Sequence, residues 1–84
     1  MSAAGRWFVT PHAVRRYQER VERCSYDTAL SALIRHSESA HRVKPWKGAT
    51  LYRSGKPQRL RFIVREGGPD LPVLLTVYGG HDHR

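Results

Sequence analysis

Residues 10–23 read TPHAVRRYQERVER, and this stretch decides how the first half of the chain folds. Thr10 has the character of a helix N-cap, its hydroxyl able to take a free backbone N–H of the first turn. Pro11 follows at the first helical position, where its missing N–H costs nothing. Val14, Tyr17 and Val21 recur at three- and four-residue steps, the spacing of one apolar stripe on a helix. His12, Arg16 and Arg20 recur every four residues and form a polar line along another face. That line is either a solvated face or half of a site that holds phosphate.

Working outward, Arg6-Trp7-Phe8-Val9 is short and aromatic, either a brief strand or a hydrophobic lead-in before the cap. Residues 1–5 are small and polar, as expected of a frayed end. Ser25 opens a second helix signal, with Asp27 in its first turn where a negative charge suits the helix dipole. Ala29, Leu30, Leu33 and Ile34 form its apolar face, and the pattern fades through residues 36–39, leaving His36 and His41 as exposed helix-end residues. Residues 44–48, KPWKG, then form a basic loop around Trp46.

The period changes in the second half. Residues 49–53, ATLYR, read as a strand, and residues 54–57, SGKP, as a turn. Residues 59–65, RLRFIVR, alternate, with Leu60, Phe62 and Val64 on one side and Arg59, Arg61 and Arg65 on the other. After a Gly/Pro-rich connection over residues 66–72, residues 73–78, VLLTVY, are nearly all apolar and rich in strand formers. Residues 79–84, GGHDHR, read as a flexible tail. The pattern predicts an α+β fold, with two N-terminal helices packed on one face of a small antiparallel sheet of three to four strands. Val73, Leu75 and Val77 would join Leu60, Phe62 and Val64 beneath the helices. Arg59, Arg61, Arg65, Thr76 and Tyr78 would share the opposite face.

The 84 residues make one domain, 1–84, without an internal repeat or a linker, and a core this small is marginal. A net charge of +8, mostly from arginine, suits a phosphate-rich or acidic partner, because the guanidinium forks onto phosphate oxygens. The lone cysteine, Cys24, excludes an intrachain disulfide and a cysteine-based zinc site. It reads as an inert packed thiol more readily than as a nucleophile. No apolar run approaches membrane-spanning length and no apolar signal core opens the chain, so a cytoplasmic protein without membrane partners is expected.

RNA can be cleaved without a metal if the protein supplies a base for the 2′-hydroxyl, an acid for the leaving oxygen and cations for the phosphorane. Histidine serves as base or acid near neutrality. Arginine keeps its proton and stabilises charge. His12, Arg16, Arg61, Thr76 and Tyr78 contain these types.

The succession His12-Ala13-x-x-Arg16, Glu19-Arg20, Ala29-x-x-x-Leu33, Tyr52-Arg53, Arg61-Phe62-Ile63-Val64 and Leu75-Thr76-Val77-Tyr78 resembles a family of small prokaryotic and phage proteins. That family is similar to BrnT-type toxins and, more distantly, to RelE within the barnase–EndoU–colicin–RelE ribonuclease fold. The resemblance runs from about residue 10 to residue 78, and the glycine that usually follows the ER pair is Val21 here. It implies metal-independent endoribonuclease chemistry, with no cofactor, in a toxin neutralised by an acidic antitoxin. It places His12 and Arg16 on the helix motif and Arg61, Thr76 and Tyr78 on the strands.

Around such a centre, Arg20, Lys44, Trp46 and Lys47 are candidate nucleic-acid contacts. So are Arg53, Lys56, Arg59 and Arg65. Trp46 between two lysines suits base stacking, or alternatively a loop anchor. Arg15-Arg16 and Glu19-Glu22 also suit plain intrahelical ion pairs. His81-Asp82-His83 has metal-ligand types but sits on a glycine-led tail, and no metal site is assigned. A helix lying flat on the sheet would point His12 to solvent, so the centre assembles only if the helix start overhangs the sheet edge or a second subunit contributes. Against the ribonuclease stand an inert basic module that grips nucleic acid or an acidic host protein, and a homo-oligomer joined through residues 73–78 or 7–9.

Overall fold

The computed structural model, which describes residues 6–55, 59–67 and 69–79, is an α+β fold of two helices and a five-stranded mixed sheet. In chain order it contains β1 (Phe8–Val9), α1 (Pro11–Arg20), α2 (Tyr26–Ser39) and β2 (His41–Trp46). Then follow β3 (Ala49–Arg53), β4 (Arg61–Arg65) and β5 (Val73–Tyr78). The strands lie in the order β1-β5-β4-β3-β2. The expected antiparallel sheet of three to four strands is corrected at both edges. β1 pairs parallel with β5, Phe8 opposite Val73 and Val9 opposite Leu74. Of the basic stretch expected as a loop, Lys44, Pro45 and Trp46 are instead the second half of β2, antiparallel to β3. The expectations for residues 1–5, for Lys56 and for His81-Asp82-His83 concern positions outside the described residues. Gly79, expected to open a flexible tail, is buried at the end of β5.

Both helix starts form as their caps dictate. The Thr10 hydroxyl accepts the Ala13 N–H at 3.1 Å, and Pro11 takes the first helical position. The same hydroxyl donates to the Leu74 carbonyl at 2.9 Å, so the cap also pins α1 to β5. α1 ends at Arg20, short of residue 23, where Val21 and Glu22 both donate to the Tyr17 carbonyl and close the last turn. Ser25 caps α2 by accepting from Thr28 N–H at 3.1 Å. α2 ends at Ser39, the last residue of the stretch over which its pattern fades. Buried Ser37 donates to the Ile34 carbonyl and accepts from Arg6 N–H, which satisfies a polar side chain inside the core. His36, expected to be exposed, is half-buried with its ring 5.7 Å from that of Phe62.

Ala13, Val14 and Tyr17 of α1 and Ala29, Ala32 and Leu33 of α2 enter one core with the sheet. Trp7 lies at its centre, edge-on to Tyr52 at 5.1 Å and tilted against Phe62 at 5.2 Å. Leu60, Phe62 and Val64 belong to this core as the alternation predicted. Val77 joins it as expected, but Val73 and Leu75 do not, and Leu74 takes their place. The reason is a bulge: Ile63 pairs with Thr76 but Val64 pairs with Leu74, leaving Leu75 extra. A two-residue period cannot survive that insertion. Leu75 and Thr76 therefore both turn away from the core, and Tyr78 turns with them. β2 has a matching shift between Arg42 and Lys44, which leaves Val43 extra.

The β2–β3 connection is a two-residue hairpin turn, Lys47-Gly48, with φ of 48° and 82°. Two positive φ values in succession match the right-handed twist of the strands, and glycine at the second position removes the steric cost there. Near the sheet's far end Glu66 accepts hydrogen bonds from the hydroxyls of Tyr52 and Thr50 and from Arg42. The Tyr52 hydrogen bond, aided by Thr50 and Arg42, holds the Glu66 carboxyl below its ordinary value, although partial burial acts the other way. Among the described residues no helix is long and apolar enough to cross a membrane.

Two stability predictions follow from these contacts. Thr10→Ala removes the cap and the link to β5 together, and should cost about 2 kcal/mol in urea unfolding at neutral pH. Glu66→Gln should destabilise by about 1–2 kcal/mol at pH 7. An ionised carboxylate whose folded pKa is lowered stabilises fully above its ordinary value of 4.5 and loses that contribution as pH falls through the folded value. The gap between wild type and Glu66→Gln should therefore close in acid unfolding curves taken below that value.

Candidate nucleic-acid interface

On the side of the sheet away from the core, Leu51 and Ile63 form a nearly closed apolar floor, 6% and 7% exposed, although neither belongs to the core cluster. Two adjoining hollows open above it. One, of about 390 Å³, is walled by Val43, Lys44, Arg53 and Arg61. The other, of about 510 Å³, is walled by Thr10, His12, Lys47, Leu75 and Thr76. They share Trp46, Ile63 and Tyr78, so they are halves of one cleft. Both bulges serve it: each turns two adjacent residues, Val43-Lys44 and Leu75-Thr76, to the same side. Bulged strands re-aim side chains in this way.

The cleft is cationic, and among the described residues none that lines it is acidic. Arg53 stands directly opposite Arg61 across β3 and β4, and Arg61 stands opposite Tyr78 across β4 and β5. Like charges opposed on neighbouring strands destabilise a sheet. Among the described residues no carboxylate lies within ion-pair reach of either arginine to relieve them. The described acidic groups that do form pairs, Glu19 with Arg16 and Glu66 with Arg42, lie elsewhere. Trp46 carries the Lys44 and Lys47 ammoniums 5.6 and 5.8 Å from its ring.

His12 lines this cleft at the start of a helix whose two ends are tied to β5. β1 covers only Val73 and Leu74, so the rest of that edge is left to α1. Thr10 holds the Leu74 carbonyl at one end. At the other, Arg20 donates to the Val77 carbonyl at 3.2 Å, lies 3.5 Å from the Thr76 hydroxyl, and stacks its guanidinium 4.6 Å from the Tyr78 ring. The residues at the two ends of the polar line on α1 thus flank Thr76 and Tyr78.

The structure brings His12, Arg61, Thr76 and Tyr78 to one cleft, with Lys44, Trp46, Lys47 and Arg53 along its walls and Arg20 against Tyr78. It does not bring Arg16, whose guanidinium is held by Glu19 at 2.6 Å and which lines neither hollow. Arg59 is displaced too: β4 begins at Arg61, and Arg59 adopts φ 54°, which breaks the alternation expected of it. Arg65 is exposed at the end of β4, outside both hollows. Thr10, Val43 and the Leu51 floor were not anticipated as parts of a site. The alternation of residues 49–53 does put Leu51 and Arg53 on one side, and that signal was legible.

Among the described residues no group of three His, Cys, Asp or Glu is placed to hold a metal ion. Cys24 is half-buried; desolvation, and then the charge of Glu22, push its thiol up, away from the thiolate form. No family model matches the chain, and no curated protein or solved structure matches it significantly.

The two tryptophans report the cleft independently. Trp7 is 1% exposed and Trp46 38% exposed. Acrylamide should quench the wild-type emission in part, and Trp46→Leu should leave a blue-shifted emission that acrylamide barely touches. Strong quenching of the remaining Trp7 would contradict the packing described above.

Proposed function

We propose that the cleft binds RNA and that the chain is a metal-independent endoribonuclease of the BrnT and RelE toxin type. The observation that supports this reading best is that His12, Thr76, Tyr78 and Arg61 meet in one cleft with no acidic residue on its walls among the described residues. The reading takes both helices as a single layer on one sheet face, leaving the other face to the substrate. The opposed pair Arg53 and Arg61 gains most from a polyanion, which removes a repulsion that the free protein carries.

In this reading the 2′-oxygen attacks the neighbouring phosphorus while the bond to the 5′-oxygen breaks. His12 takes the 2′ proton, and the Tyr78 hydroxyl gives a proton to the leaving 5′-oxygen. The products are a 2′,3′-cyclic phosphate and a 5′-hydroxyl. Arg61 and Arg20 steady the phosphorane charge, and Thr76 orients the phosphate. An acidic antitoxin or host protein would compete for the same cations.

A specific observation favours a second reading, the inert basic module. Arg16, the second member of the helix motif, is tied to Glu19 and outside the cleft. The two separate in one experiment. Labelled RNA is incubated with the protein in EDTA, and the ends are analysed. The enzyme reading expects cyclic phosphate ends, with His12→Ala and Tyr78→Phe each slowing cleavage about a hundredfold or more. Retention of RNA without cleavage, weakened by Arg61→Ala alone, establishes the inert module instead. In either case affinity should fall steeply between low and physiological salt, since phosphate contacts displace counterions.

A further inference from the structure

We infer that Trp46 is a base-stacking subsite, and that the cleft therefore takes single-stranded RNA with one base unstacked onto the indole and refuses the duplex. The inference rests on the reading of the cleft as an RNA site and names what that site selects.

Trp46 is the residue on which the two hollows meet, together with Ile63 and Tyr78. A strand laid from the Arg53 and Arg61 hollow to the His12 and Thr76 hollow must pass it. Its indole is 38% exposed, which is unusual for the largest apolar side chain in a chain whose other tryptophan is 1% exposed. The surrounding groups are cations: Lys44 and Lys47 hold their ammoniums 5.6 and 5.8 Å from the ring. Long lysine stems can move aside to the phosphates on either side of a stacked base while the ring keeps its place. Every base has a π-face, so stacking of this kind tolerates sequence but demands an unpaired base.

The position is built. The turn Lys47-Gly48 fixes the register that sets Trp46 opposite Ala49, the first residue of β3. The bulge at Val43 resets the alternation of β2 so that Lys44 and Trp46 both line the cleft. Pro45 between them lies on the outermost strand, where its missing N–H breaks no ladder. A duplex cannot use this arrangement, because its bases are stacked on each other and its phosphates stand outside them.

The test uses the full chain and a short 2′-O-methyl oligouridylate, which binds but cannot be cut by 2′-hydroxyl attack. An abasic strand of the same length and a 2′-O-methyl duplex are the comparators. The single strand should quench the Trp46 emission. Trp46→Leu should weaken its binding about tenfold, with thermal melting confirming the fold, and Trp46→Phe should keep much of the affinity. On the abasic strand Trp46→Leu should change nothing, whereas Arg61→Ala should weaken both strands. The inference is overturned if Trp46→Leu leaves single-strand affinity unchanged, if it weakens the abasic strand equally, or if the duplex binds as tightly as the single strand. If no strand binds even at low salt, the RNA reading of the cleft falls, and this subsite with it.

Discussion

The hydroxyl of Thr10 joins the two halves of the fold. It accepts from the first turn of α1 and donates to the Leu74 carbonyl of β5. A two-residue edge strand, β1, delivers the chain to that point and then stops. The free edge of β5 beyond it is a row of backbone groups that need partners. α1 supplies them with side chains, Thr10 at its start and Arg20 at its end. The helix tied in this way carries His12 in its first turn, and His12 lines the cleft while Arg16 does not.

The cleft depends equally on two irregularities in the sheet. A regular strand sends alternate residues to opposite sides, so at most every second residue could line a hollow. The bulges at Val43 and Leu75 each send two neighbours to one side. They lie on the strands that flank the central pair β3 and β4, which carries the opposed arginines. The charge pattern follows the same division. On the core side Glu66 gathers Tyr52, Thr50 and Arg42 into a satisfied cluster. On the cleft side the cations face one another, without a carboxylate on the walls among the described residues.

Much of this was legible in the sequence because it is local. Thr10-Pro11 and Ser25 marked both helix starts, and both caps formed as their side chains allow. Leu60, Phe62 and Val64 alternated into the core. Residues 44–48 were harder. Their lysines and proline read as loop, yet Lys47-Gly48 is a hairpin turn and Trp46 ends a strand. Proline is tolerated there because β2 is an edge, a fact that exists only once the sheet is assembled. The exchange of Leu75 for Leu74 in the core has a similar origin. Both are leucines, so hydrophobicity cannot choose between them, and the bulge that chooses is a matter of pairing with β4.

The sequence by itself determined the helix caps, the apolar stripe of α1, the change from helical to strand period and the excess of arginine. Each depends on neighbours within a few residues, where backbone geometry and side-chain chemistry act directly. Only the tertiary structure decided that β1 runs parallel to β5, that Arg53 faces Arg61, and that His12 and Tyr78 share a cleft while Arg16 does not. Those outcomes depend on hydrogen-bond register between distant strands and on which sheet edge a helix must cover. A one-residue shift in register turns a side chain to the other face, and no local pattern in the sequence records where such a shift falls.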